Sequence, residues 1–345
     1  MRTSPIGIPT RPAPSAWLSA GLSILFVASW SSGFIGAKLG ASDAPATTLL
    51  MWRFIPVALA LSAVAALLAR RSPAPRRTRR GAMTQIGVGA LSQCGYTLTV
   101  YWAIGLGVST GTTALIDGVQ PLVVAVLAGP LLGAAASGRQ WFGLTVGAIG
   151  VVIVTWTDAT ASTTAAPWWA YLIPLAGMAS LVAATFLDRR GPNTLSRTES
   201  LAIHCTTSAV IFTAICLVDG TAMPPAAPGF WVAIGWLIGL STLGGYGLYW
   251  ILVDRLGVTS VNALMFLMPP VTTLWGAAMF GEPLTATTIV GLTVALGATI
   301  TVVRVGKRRE QCPDRPSRAS ENPAYSGQHR PHPDRVGSRA ESEVS

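Results

Sequence analysis

The feature that most constrains this chain is a succession of long apolar runs, each about the length that crosses a bilayer core, about 20 residues. They fall at 17–37, 46–69, 83–104, 110–132, 141–157, 168–187, 199–218, 230–252, 258–279 and 286–304. Only 11% of the 345 residues are charged and 51% are hydrophobic, too little charge to cover a water-soluble surface of this size. The expectation is an all-α integral membrane protein with ten transmembrane helices.

The loops set an orientation. With the N-terminus in the cytoplasm, the inner loops hold Arg70, Arg71, Arg76, Arg77, Arg79 and Arg80, then Arg139, Arg189, Arg190, Arg197 and Arg255. Lys38 is the one basic residue of the outer loops, beside Asp43, Asp158, Asp219 and Glu282. Arg304, Lys307, Arg308 and Arg309 follow the last run. Basic residues mark cytoplasmic loops, so both termini are expected inside and the protein in the plasma (inner) membrane. The net charge of +10 lies in these loops and in the tail, and nucleic-acid binding is not expected. The run from Trp17 is read as an uncleaved first span. Trp17, Trp141, Trp168, Trp169 and Trp231 sit at span ends as interface anchors.

Residues 1–16 read as a cytoplasmic segment, 17–157 and 168–304 as two halves, and 305–345 as a disordered cytoplasmic tail, rich in Pro, Arg and Ser. The halves are related by an internal repeat. "GLTV" occurs at 143–146 and 291–294, and "ALIDGVQPLV" (114–123) aligns with "ALMFLMPPVT" (263–272). Gly95-Tyr96 and Leu106-Gly107-Val108 match Gly245-Tyr246 and Leu256-Gly257-Val258. Five spans per half is an odd number, so the second half enters from the opposite side. The expected architecture is two inverted five-helix repeats, common among secondary transporters.

Three stretches carry a resemblance: "WSSGFIGAKLG" (30–40), "MWRFIPVALAL" (51–61) and "LGVTSVNALMFLMPPVTTLWGAAMFGEPLTATTIVGLTVALGATI" (256–300). With them the chain resembles the EamA-type branch of the drug/metabolite transporter superfamily over about 17–304. The resemblance implies ten helices in two inverted halves and transport of small metabolites, with amino-acid and metabolite efflux common and ion-gradient coupling often invoked. One departure stands out. The turn "GEPLTATT" (281–288) carries Glu282, whereas the matching "GAAASGRQ" (133–140) has no acid.

Three ionisable residues fall well inside the runs: Arg53, Asp117 and His204. Placing Arg or Asp there costs about 2.5–3.5 kcal/mol on insertion scales, so such residues face the bundle interior and mark function. Arg53 and Asp117 each lie about seven residues from the outer end of their span, about 10 Å deep at 1.5 Å per residue. They are expected to be partners or near neighbours. The pair either locks two helices together or binds substrate, Asp117 taking an ammonium and Arg53 a carboxylate; a third reading leaves Asp117 in a hydrated vestibule. Asp117 is also the candidate site for a coupling proton.

Pro121, Pro269 and Pro270 interrupt corresponding spans of the two halves, the best sequence pointer to a transport site, with kinks that serve packing alone as the alternative. Tyr96 and Tyr246 are repeat-related candidates for the same cavity, as are Trp102 and Trp250, with packing between helices the alternative for all four. His204 is expected to bond a neighbouring helix, with proton relay as its other reading. Glu282 is expected to start a helix, with Pro283 in the first turn.

The expected function is secondary active export of a small polar metabolite, such as an amino acid, by alternating access, with protons as the candidate coupling ion. The expected partners are that small molecule and the lipid bilayer. No cofactor and no metal are expected, since Cys94, Cys205, Cys216 and Cys312 lack ligand spacing. There is no G-x-x-x-x-G-K-[ST] loop, so ATP hydrolysis by this chain is not supported. An intramembrane lipid-modifying enzyme and a membrane scaffold or sensor are the alternatives. The first needs clustered carboxylates or a partnered histidine, and Asp117 and His204 are expected near opposite faces.

Overall fold

Capping side chains and prolines mark where the helices begin. A computed structural model describes residues 16–71, 78–132, 138–161, 166–192, 195–294 and 296–297. The first fifteen residues, most of the loop after Arg71 and the tail fall outside these. The described residues are helical and contain no β-strand.

Helix α1 spans Ala16–Ala41 and α2 spans Ala46–Arg71. Thr78 caps α3, Arg79–Gly89, by accepting from the Gly81 amide. A π-helical turn, Ala90–Gly95, then leads into α4, Tyr96–Gly105. Ser109 caps α5, Thr110–Gly118, and after a break at Val119 the chain resumes as α6, Gln120–Leu132. Helix α7 spans Gly138–Ala159. A 3-10 turn, Trp168–Leu172, precedes α8, Ile173–Arg190, which has Pro in its first turn. A full capping box, Ser196 with Glu199, opens α9, Arg197–Val218. Helix α10, Pro228–Trp236, passes through a second π turn, Leu237–Gly244, into α11, Gly245–Leu256. Finally α12, Val258–Met265, breaks before α13, Met268–Phe280, which ends on left-handed Gly281. Residues 286–294 are again helical.

Among the described residues, seven helical stretches are long and apolar enough to cross a membrane. The expected runs at 83–104 and 110–132 are helical but interrupted, the first by a π turn and the second by the break at Val119. The run at 286–304 continues past the described residues. Large apolar side chains point outward along the helices, among them Ile24, Leu59, Val152, Val210 and Val232. In water this surface would be untenable; in lipid it is the expected exterior.

With apolar solvent outside, packing rather than water release holds the helices together. The main buried cluster joins α1, α2, α4, α9 and α10, with Phe54 stacked on Phe212 at 6.0 Å between ring centroids. Small residues let backbones approach. A methyl placed on Gly89 would sit 2.7 Å from the His204 Cα, a backbone atom that cannot swing away. Gly89→Ala is therefore expected to destabilise by about 1–3 kcal/mol through overpacking. Gly235, which has nothing within 4 Å of such a methyl, is the control. Thermal unfolding of the two variants in detergent checks this: a clear loss is expected only for Gly89→Ala.

Candidate functional site

Arg53 lies in the second turn of α2 and is 6% exposed. Its Nε donates to Thr242 Oγ1 at 3.2 Å, and its Nη2 donates to the same oxygen at 3.1 Å and to Ser241 Oγ at 3.3 Å. Nη1 donates to the Tyr101 hydroxyl on α4, and the guanidinium also lies over the Phe54 ring. The Thr242 proton is already committed to Leu237 O, five residues back within the second π turn. That leaves the lone pairs of Thr242 for Arg53.

The expected pairing of Arg53 with Asp117 does not form. Equal depth places two residues in one plane but says nothing about which way each faces, and the second π turn brings hydroxyls to Arg53 instead. Among the described residues no carboxylate pairs with it.

Asp117 sits in the last turn of α5, just before the break at Val119. Its Oδ2 accepts from the Tyr96 hydroxyl at 2.7 Å, and its Oδ1 is buried with no hydrogen-bond partner. A carboxylate at a helix C-terminus also opposes the helix dipole. Asp117 is thus held in an unfavourable place by one neutral donor.

The other repeat-related tyrosine is bound across the bundle. Gln93, within the first π turn, donates its amide to the Tyr246 hydroxyl, and the Trp30 ring lies 5.5 Å from the Tyr246 ring. Tyr96 directly follows the first π turn and opens α4, and Tyr246 follows the second with Gly245 between. Such turns loosen the backbone ladder and recur at functional sites. Ser180 on α8 takes up one loosened carbonyl, donating to Leu91 O at 2.8 Å.

The two helix breaks meet. Pro269 and Pro270 line a small apolar cavity with Leu115, Gly118 and Val119, and Pro121, in the first turn of α6, does not line it. A methyl on Gly118 would come within 2.8 Å of the Pro269 ring. Trp102 is half exposed, and Trp250 packs on Tyr249 and beneath the Arg197 guanidinium. Neither tryptophan joins the polar centre.

His204 on α9 is bonded to a neighbouring helix, as expected from the sequence. Its Nε2 lies 2.7 Å from Gln85 Oε1 on α3, while Gln85 Nε2 donates to Asp188 Oδ1 on α8 at 2.8 Å. The carboxylate only accepts, which fixes the amide, which in turn puts the proton on His204 Nε2.

Glu282 departs from expectation. No helix starts at Pro283; helix resumes at 286. Its carboxylate takes Lys38 Nζ at 2.6 Å, the Thr110 amide at 3.0 and 3.1 Å and the Thr110 hydroxyl at 2.8 Å. Asp158 on α7 accepts from the adjoining Ser109 amide at 3.1 Å. Two carboxylates from distant segments thus clamp the start of α5, where unpaired amides and the dipole favour negative charge.

The sequence did not single out Gln93, Tyr101, Ser241 or Thr242. Polar side chains within apolar runs were the available signal for Gln93, Ser241 and Thr242. Among the described residues, no group of three or more His, Cys, Asp or Glu could hold a metal ion.

The model of the EamA-like transporter family matches twice, over 17–156 and 168–304. The chain belongs to that family. It is similar to the "Probable terminal-alkyne amino-acid exporter" of Streptantibioticus cattleyicolor, 26% identical over 295 residues, covering 83% of this chain and 94% of the relative. It shares its fold with a solved structure titled only as a crystal structure of a protein, with TM-score 0.54 and 18% identity, over 86% of this chain and all of the other. The chain is a multi-pass membrane transporter.

The EamA matches place α1 to α7 in one unit and α8 to α13 in the other. The bonds Arg53–Thr242, Gln93–Tyr246 and Glu282–Thr110 each join one unit to the other. Asp117, by contrast, is bonded within the first. Tyr96→Phe is expected to cost about 1–3 kcal/mol, because it leaves both carboxylate oxygens without a donor. Adding Tyr96→Phe to Asp117→Asn is expected to cost less than it does alone. A double-mutant cycle by thermal unfolding measures the difference, and strict additivity would show that the bond contributes nothing.

Proposed function

We propose that this transporter exports a small zwitterionic metabolite, such as an amino acid, by alternating access, driven by protons. In this reading ten spans form two five-helix halves of opposite orientation, 17–157 and 168–304. Both termini lie in the cytoplasm and the plasma membrane is the site of action. The twofold family match supports two like halves. So does the pairing of irregularities: a π turn leading up to each of Tyr96 and Tyr246, and a proline-marked break in α5–α6 and α12–α13. The bias of Arg toward alternate loops supports the orientation.

The observation that carries the substrate reading is the state of the two buried charges. Among the described residues Arg53 hydrogen-bonds only to neutral hydroxyls, and Asp117 has one neutral donor and one bare oxygen. Each has an unmet electrostatic demand, and the demands are opposite. A zwitterion answers both, its carboxylate going to Arg53 and its ammonium to Asp117. Tyr96 and Tyr246, which flank the same region, would line the path, with Pro121 and Pro270 as the points of bending. The name of the Streptantibioticus relative, an amino-acid exporter, agrees with this class.

Coupling follows from the same arrangement. A carboxylate that holds an ammonium on one side of the membrane must let it go on the other. Exchange of the ammonium for a proton at Asp117 accomplishes this without leaving a bare charge in lipid.

The test is uptake of a radiolabelled amino-acid panel into inverted membrane vesicles with an imposed proton gradient. Gradient-dependent accumulation of at least one amino acid is expected, falling at least tenfold in Asp117→Asn at equal expression. Accumulation that ignores the gradient, or that survives Asp117→Asn, would remove the proton role of Asp117.

A further inference from the structure

Arg53 is wrapped in a particular way. A guanidinium presents its best carboxylate-binding edge through Nε and one Nη, two parallel donors made for two oxygens. Here that edge, Nε with Nη2, converges on a single oxygen, Thr242 Oγ1, at 3.2 and 3.1 Å. Charge-assisted bonds to a carboxylate run shorter, about 2.7–2.9 Å. Nη2 has Ser241 Oγ as its second acceptor, and that contact too is long, at 3.3 Å. The edge is therefore occupied but under-used.

It is also closed off. Thr242 is 1% exposed and Arg53 is 6% exposed, so no open space adjoins the edge. A methyl built on Gly33 of α1 would meet Ser241 Oγ at 2.9 Å, so α1 packs tightly against the same hydroxyl. A ligand oxygen can reach Nε and Nη2 only if Thr242 moves away. Thr242 moves with the second π turn, because its hydroxyl is also tied to Leu237 O inside that turn.

We propose that Thr242, assisted by Ser241, is a placeholder for the substrate carboxylate, and that its displacement from Arg53 couples substrate binding to movement of the second π turn. The inference rests on the placement of Arg53 in the transport site proposed above. It restricts the substrate to molecules bearing a carboxylate, and it makes Thr242 a positioning residue that competes with substrate. Removing a competitor strengthens binding. It also removes the link between binding and the π turn, so turnover slows. A residue that merely lined the site, or merely supported the fold, would not produce that combination.

The experiment is counterflow into proteoliposomes holding the purified full-length protein. The probes are radiolabelled L-leucine, L-phenylalanine and L-propargylglycine, each beside the amine that lacks its carboxylate: 3-methylbutylamine, 2-phenylethylamine and but-3-yn-1-amine. The expected result is transport of at least one amino acid and of none of the amines. Thr242→Val is expected to lower KM for that amino acid by about tenfold, the scale of one charge-assisted hydrogen bond, and to lower kcat. Thr242→Ser, which keeps the hydroxyl, is expected to behave as the wild type. Ser241→Ala, with a smaller fall in KM, serves if Thr242→Val does not fold.

A KM that rises or stays unchanged in Thr242→Val, or in Ser241→Ala where that variant stands in, overturns the placeholder while the transporter reading stands. Amines carried as well as the amino acids overturn the carboxylate requirement. An unchanged KM in Arg53→Lys overturns the placement of Arg53 in the site, and the inference with it. Failure of the wild type to carry any of the three amino acids counts against both readings.

Discussion

A guanidinium buried in a bilayer protein must find its oxygens inside the protein, and much of this structure is arranged around where Arg53 finds them. Its acceptors come from α4 and from the second π turn. Satisfying one side chain therefore fixes α2 against elements of both family-matched units. The same contacts explain why the second π turn persists. A wide turn in a helix is a cost unless something uses the geometry, and here the hydroxyl that reaches back to Leu237 O is the one that reaches forward to Arg53. Gln93 adds a second tie, from the first π turn to the tyrosine beyond the second.

Asp117 shows the opposite economy. It has one donor where a buried carboxylate usually has several, and it stands at the negative end of a helix beside a break. An Asn or a Leu at this position would avoid the cost of the charge, and the chain carries the carboxylate instead. The contrast with Glu282 is instructive. Glu282 has an ammonium, an amide and a hydroxyl, and it sits at the positive end of α5. One helix thus carries a well-satisfied carboxylate at its start and a poorly satisfied one at its end. The first is structural chemistry; the second keeps capacity in reserve.

What could be read from the sequence follows from what hydropathy encodes. The long apolar runs, the Arg-rich loops and the proline-marked breaks depend on local composition, and all stand out in the letters. Tyr96, Asp117 and Tyr246 were also visible one by one, as polar groups at repeat-related or costly positions. Their partners were not. Depth along a helix is legible, but direction around it is not, and a π turn inserts one extra residue, rotating everything after it by about 100°. No residue pattern announces that turn. This is why Ser241 and Thr242 displaced Asp117 as the partners of Arg53. Glu282 was misread for a related reason: the Gly-Glu-Pro-Leu turn looks local, whereas its carboxylate serves the start of a helix 172 residues earlier in the chain.

The separation between Arg53 and its hydroxyl partners also bears on how the protein is made. Thr242 follows Arg53 by 189 residues, and Tyr101 follows it by 48. At ribosomal speeds of about 5–20 residues per second, the wait for Thr242 is roughly 10–40 s. For that interval the nascent first half holds a guanidinium with Tyr101 alone of its three final partners. Biogenesis must shelter this charge, by water, lipid headgroups or the insertion machinery, until the second half arrives. The two halves are therefore unequal in assembly: the earlier one carries the charge, and the later one brings the oxygens that complete its solvation.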